Sequence, residues 1–210
     1  MFDYKVIDDF FSREAYLSLK LRLDRDVDWK HNVCITGHES VRDKADLYSG
    51  GMGRVIKRDD HEPDKIDLYP EFTNLFGFKL SETFDVEHIL RIRCGLQLPV
   101  NVDYVHDPHV DYIYPHWTAL LYFCTEKGAG ETYLYNQKYD ASWPNPYVQW
   151  QKTQDEFEVI EKVEPRENRC LIFRGDIFHA SSTPRSIARR LAVNVNFQGN
   201  PKHGTETNKP

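Results

Sequence analysis

A mostly β fold with flanking helices, packed as a sandwich or jelly roll, is predicted by three observations. From Ile89 onward, strand-length apolar runs alternate with turn-forming residues, whereas helix-periodic segments fall in the first 83 residues. At 210 residues the chain also has the size of one large β-rich domain. Many short strands with turns between them bury their apolar faces by packing sheet on sheet.

The elements follow in order. Tyr4-Lys5-Val6-Ile7 reads as a short strand, and Ser12 as the N-cap of an amphipathic helix through Tyr16, Leu17, Leu19 and Leu21. Between Asp24 and Asp67 charges and glycines dominate, Gly51-Met52-Gly53 among them. Loops are expected there, with one irregular strand around Val33 to Ile35. A second helix is expected from Glu71 to Thr83, carrying Phe72, Leu75, Phe76, Phe78 and Leu80. Strands are then predicted over Ile89–Leu98, Thr118–Cys124, Thr132–Tyr135, Phe157–Val163, Cys170–Phe173 and Leu191–Phe197. Gly128-Ala129-Gly130, Pro165-Arg166-Glu167-Asn168 and Arg174-Gly175-Asp176 supply the turns. No internal repeat is evident. The expected organisation is one domain over 1–198, with a helical, loop-rich scaffold at 1–88 and a jelly-roll core at 89–198. A polar, disordered tail is expected at 199–210.

Composition narrows the function classes. A net charge of -6 argues against broad binding of duplex nucleic acid, which needs a basic stripe to neutralise phosphates. The amino terminus has no basic segment leading into an apolar run, and no run of eighteen apolar residues occurs, so a soluble, cytoplasmic protein with no membrane partner is expected. Cys34, Cys94, Cys124 and Cys170 are widely spaced, and three of them sit in apolar runs, which reads as reduced core thiols.

The chemistry-bearing pattern is His109-Val110-Asp111, followed much later by His179 and then Arg189-Arg190. Two imidazoles and one carboxylate can hold one face of an octahedral iron(II) and leave the opposite face open. On extended backbone, residues two apart project to the same side, so His109 and Asp111 can share one ion. His-x-Asp alone is a common tripeptide and carries little weight. His179 strengthens it, standing after an apolar strand and a Gly-Asp turn. Arg189-Arg190 strengthen it further, because an arginine entering a buried strand is costly without an anionic partner. Alternation assigns Leu191, Val193, Val195 and Phe197 to one side and Arg190, Ala192, Asn194 and Asn196 to the other. The polar side suits an interior holding a charged ligand, which selects Arg190; a one-residue bulge would reverse the choice to Arg189. A guanidinium fork matches a carboxylate with two parallel hydrogen bonds.

From Ile89 to Phe197 the chain resembles the 2-oxoglutarate and iron(II)-dependent dioxygenases, in particular the branch similar to prolyl 4-hydroxylases. The resemblance rests on His109-Val110-Asp111, Ala119-Leu120-Leu121-Tyr122-Phe123, the segment Gly128 to Tyr135, and Phe173-Arg174-Gly175-Asp176-Ile177-Phe178-His179. It implies a double-stranded β-helix (a cupin-like jelly roll) with His109, Asp111 and His179 as catalytic iron ligands and Arg190 on the far carboxylate of 2-oxoglutarate. Tyr122 would lie beside that carboxylate, and Asn194, facing the same cavity, would be a further contact to the co-substrate. The cofactors implied are Fe(II), 2-oxoglutarate as co-substrate, and dioxygen. The reaction implied is hydroxylation of a substrate, with succinate and carbon dioxide as co-products. In related halogenases chloride replaces the carboxylate ligand, so Asp111 disfavours halogenation.

The substrate is left open among a peptidyl proline, a free amino acid and another small molecule. Tyr112, Tyr114 and Trp117, and the aromatic stretch Tyr139, Trp143, Tyr147 and Trp150, could form a lid or simply cover the core. His106 and His116 are set aside as surface or substrate-loop residues, because His106 lies three residues before His109 and His116 follows Pro115. Two other classes compete. One is a non-catalytic jelly-roll binding module, which has no use for a complete triad with an arginine. The other is a zinc-dependent hydrolase, which suits the triad but leaves the arginine unexplained.

Overall fold

The computed structural model describes residues 2–32, 51–59, 66–99, 103–124, 127–185 and 189–202. Eleven strands and three helices lie among them: β1 (Tyr4–Ile7), α1 (Arg13–Arg25), β2 (Lys30–Asn32), β3 (Gly51–Arg58), β4 (Ile66–Asp67), α2 (Pro70–Leu80), β5 (Phe84–Gln97), β6 (Trp117–Tyr122), β7 (Thr132–Lys138), α3 (Pro146–Thr153), β8 (Val159–Val163), β9 (Cys170–Arg174), β10 (Ile177–Ser181) and β11 (Arg190–Pro201). The larger sheet runs β1-β9-β6-β11-β5-β3-β2, with β4 on β3, and the smaller runs β10-β7-β8. Every pairing is antiparallel. The two sheets form the jelly roll that the sequence predicts.

Two cores follow from this layering. Between the sheets lie Leu120, Tyr122, Leu134, Leu171, Phe173, Ile177 and Ala192. On the other face of the large sheet, Leu121, Ile172, Val193, Val195 and Phe197 meet Tyr16, Leu19 and Leu23 of α1 and Phe72, Phe76 and Leu80 of α2. The helices therefore back the large sheet and leave the space between the sheets for the site. Ser12 does cap α1, its hydroxyl accepting from the Ala15 N–H. Tyr16 stacks on Phe123 at 4.9 Å.

The segment before residue 89 is more β-rich than expected. β1, at Tyr4–Ile7, is the strand the sequence predicts, but Gly51-Met52-Gly53 opens β3 rather than a loop and β5 starts at Phe84. The unexpected stretches are short or charge-bearing, and pairing with a neighbour, not their own composition, makes them strands. The strand expected around Val33 to Ile35, with Cys34, lies outside the described residues. β11 continues through Pro201, paired with β5, so the expected tail boundary at 199 is too early; 203–210 lie outside the described residues. In the aromatic stretch, Tyr147 and Trp150 lie on α3, which is capped by Asn145, whose side-chain oxygen accepts from Val148 N–H. Cys94, Cys124 and Cys170 are buried free thiols.

Two turns depend on their residue types. In the turn before β7, Gly130 has φ +89, and a Cβ there would drive into the Ser182 carbonyl. Asn168 has φ 59, and its side-chain amide both accepts from and donates to the Phe11 backbone, tying the amino-terminal segment to this turn.

Candidate metal centre

The stretch 104–109 lies antiparallel to the end of β10, bridging at Val105–Ser182 and His109–His179. His109 and His179 exchange both backbone hydrogen bonds, each 3.0 Å. Directly opposed residues project their side chains to the same face, so this pair delivers two imidazoles to one place. Asp111, two residues on, joins them. One donor atom from each of His109, Asp111 and His179 lies within 4.8 Å of the others.

Each part of the triad is in a form that could hold an ion. The Nδ1–H of His109 donates to the Asp107 carbonyl at 3.1 Å, and that of His179 to the Ile177 carbonyl at 3.3 Å. Those bonds fix both tautomers and leave each Nε2 lone pair available. Burial lowers the pKa of both histidines, His179 to about 3, so both imidazoles are neutral donors near pH 7. Asp111 is also buried, which by itself would raise its pKa. The Arg91 guanidinium and its other partners overcome that and hold the carboxyl well below its ordinary value. Arg91 Nη2 donates to Oδ1 at 2.8 Å, while Asn194 and Asn196 donate to Oδ2 at 3.0 and 2.9 Å. Arg91 is itself held by the Asn196 side-chain oxygen and lies over the Tyr112 ring.

A cavity adjoins the triad, lined by His109, Asp111, His179, Thr132, Arg190, Asn194 and Arg93, among others. Arg190 is 5% exposed and donates to the Thr132 hydroxyl at 2.6 Å, with its guanidinium 5.3 Å from the Tyr122 ring centre. It has no acid partner among the described residues, and its buried Nε has no acceptor. Arg189 instead points outward, its side chain 53% exposed and 3.9 Å from Asp24. Of the two arginines, Arg190 is thus the inward one and Arg189 the outward one.

The other candidate residues divide between this cavity and its surroundings. The Tyr122 hydroxyl bonds Thr132 at 2.7 Å, so Tyr122 backs Arg190 through its ring and through Thr132. Asn194 lines the cavity, but its hydrogen bond goes to Asp111. His106 and His116 are buried, not at the surface, although neither joins the triad. The His116 Nδ1–H donates to the Tyr114 carbonyl, and its ring fills the space that a side chain at position 175 would need. Arg91, Arg93 and Thr132 were missed by the sequence reading. The signal for the arginines was Arg91-Ile92-Arg93-Cys94, in which the apolar partners face the helices and both arginines must face the other way. In the aromatic stretch, Tyr139 and Trp150 pack on Tyr135 and Phe178, whereas Tyr147 lines a second recess beside His109 and Asp111.

No family model and no curated protein sequence matches this chain. Solved structures match its fold over nearly its whole length. A Burkholderia pseudomallei oxidoreductase of the 2OG-Fe(II) oxygenase family shares 14% identity at a TM-score of 0.61, covering 96% of this chain and 89% of its own. HygX from Streptomyces hygroscopicus, solved with nickel and 2-oxoglutarate bound, shares 14% at 0.57, with coverage of 97% and 85%. A Trichoplax adhaerens prolyl hydroxylase in complex with a hypoxia inducible factor peptide shares 14% at 0.56, with coverage of 93% and 83%. The chain thus has the fold of the 2-oxoglutarate and iron(II) oxygenases.

Proposed function

We propose that this protein is an iron(II)- and 2-oxoglutarate-dependent oxygenase, a single domain that hydroxylates a small molecule or a peptide. The observation that carries the reading is a largely buried His-Asp-His cluster sharing one cavity with a buried arginine that has no acid partner among the described residues. His109, Asp111 and His179 would hold iron(II), a donor set of two neutral imidazoles and one carboxylate. Arg190, steadied by Thr132 and Tyr122, would take the distal carboxylate of 2-oxoglutarate, giving its unsatisfied Nε an acceptor. Iron(II) held in this way supplies dioxygen activation coupled to decarboxylation of 2-oxoglutarate to succinate and carbon dioxide. The chain's own residues orient and exclude. Arg91, Asn194 and Asn196 keep Asp111 ionised and fixed, and Leu120, Phe173 and Ala192 give the cavity an apolar wall.

Both substrate classes have precedent among proteins of this fold: HygX has been solved with hygromycin B, and the Trichoplax enzyme with a peptide. No helix among the described residues is long and apolar enough to cross a membrane.

Anaerobic addition of iron(II) and 2-oxoglutarate should produce a weak visible charge-transfer band. Asp111→Ala and His179→Gln should each abolish it, and aerobic wild-type protein should release succinate. Tight zinc binding with no spectral response to 2-oxoglutarate would defeat the proposal in favour of a hydrolase.

A further inference from the structure

The cavity holds a second cation that neither the metal nor the co-substrate explains. Arg93 lies on β5 and lines the same cavity as the triad and Arg190. In the β5–β11 ladder it is opposite Asn194, the residue bonded to Asp111, so it stands at the level of the triad. Arg190 lies four residues along β11, a strand distance of roughly 13 Å. The two guanidiniums therefore stem from different depths.

Arg91 and Arg93 have different circumstances. Arg91 is paired to Asp111, whereas Arg93 makes no hydrogen bond or ion pair among the described residues. Burial and the neighbouring Arg91 charge disfavour the Arg93 cation and outweigh the attraction of Asp111, so its pKa is lowered. A guanidinium nonetheless stays charged in proteins, so the unfavourable charge persists until an anion arrives. Among the described residues lining this cavity, Asp111 is the one acid, and Arg91 already neutralises it. Iron(II) and doubly charged 2-oxoglutarate cancel each other, so Arg93 and Arg190 leave the loaded site positive. On the oxygenase reading both carboxylates of 2-oxoglutarate would be committed, one at the metal and one at Arg190.

We propose that Arg93 recognises a carboxylate on the primary substrate, which makes small organic acids, free amino acids included, the substrate class. This rests on the oxygenase reading above. The guanidinium would anchor the acid beside the metal and fix which carbon is presented to it, a specificity role with no part in holding the metal.

The test uses full-length protein loaded anaerobically with iron(II) and 2-oxoglutarate. The probes are free L-amino acids and small mono- and dicarboxylic acids, each beside its neutral amide, and the readouts are a shift of the visible band and the melting temperature. At least one acid should shift both in the wild type while its amide does not. Arg93→Gln should still form the 2-oxoglutarate band but bind that acid about 30-fold or more weakly, the loss expected for a charge-assisted contact. Arg93→Lys should recover part of the affinity, keeping the charge without the fork. Amides that match their acids, an acid that binds both proteins equally, or a wild type that forms the band yet responds to no acid would overturn the proposal. Loss of the 2-oxoglutarate band itself in Arg93→Gln would also overturn it, by assigning Arg93 to the co-substrate. A wild type that never forms the band would instead remove the oxygenase reading beneath it.

Discussion

Strand β11 has two buried faces with opposite chemistry. Leu191, Val193, Val195 and Phe197 turn toward α1 and α2 and are at most 3% exposed. Arg190, Asn194 and Asn196 turn toward the space between the sheets. The apolar face stabilises by removing hydrocarbon from water, about 25 cal/mol per Å². The polar face gains nothing that way and is tolerable only where its groups are bonded. Asn196 shows the condition met: fully buried, it donates to Asp111 and Thr118 and accepts from Arg91. Arg190 shows it unmet, with one bond to Thr132 and a sealed Nε left over. On one strand, then, burial is energetically closed at Asn196 and left open at Arg190, which is where the proposed function puts a ligand's carboxylate.

That contrast is sharpest at Phe197, where the largest loss of stability is expected. Phe197 is fully buried and meets Phe84 edge-on at 5.1 Å. Phe197→Ala should destabilise the fold by about 3–5 kcal/mol through lost transfer energy and the cavity left behind. Chemical denaturation would measure this, and the folded fraction should still bind iron(II) and 2-oxoglutarate normally. A variant that kept its stability but lost the metal would break the separation between the faces.

Arg190→Gln should behave in the reverse sense. Removing a buried, incompletely bonded cation costs the apoprotein little, and can even stabilise it. Affinity for 2-oxoglutarate, read from the band titration, should fall about 100-fold, the value of a bidentate charged contact. Arg189→Gln, at the exposed neighbour, should change neither quantity. Equal effects of the two substitutions would contradict the choice of the inward arginine.

How much of this was legible in the sequence follows the same division. Alternation along 190–197 revealed both faces of β11, and Ser12 announced the start of α1, because these signals are local. The two histidines and Asp111 were legible as candidates, but their meeting depends on a backbone pairing between residues seventy positions apart. β3 was read as loop because Gly51-Met52-Gly53-Arg54 has no apolar alternation of its own and becomes a strand by pairing with β5. Arg91 and Arg93 were passed over for a related reason. Strand arginines usually mark a solvent face, and only the helices packed on the opposite side of β5 show that this face is interior. Thr132 carries no signal in its own surroundings, since its role comes from Arg190, fifty-eight residues away.

The smallest effects should separate the two asparagines, which look equivalent in sequence. Asn196 bonds Asp111, Thr118 and Arg91 together, so Asn196→Ala releases both the carboxylate and the arginine that holds its other oxygen. Outer partners of a metal ligand typically contribute about 10- to 100-fold in metal affinity, and this loss should approach the upper part of that range. Asn194 makes one bond to Asp111, and its own oxygen has no partner among the described residues, so Asn194→Ala releases less and should fall at the lower end. Competitive metal titration against a chromophoric chelator can rank them. If Asn194→Ala weakened metal binding more than Asn196→Ala, Asp111 would depend on its one-bond neighbour more than on the hub, and the bonding pattern on this face would not govern the site. The expected order instead makes the polar face a cooperative support, in which each residue matters according to how many partners it holds in place.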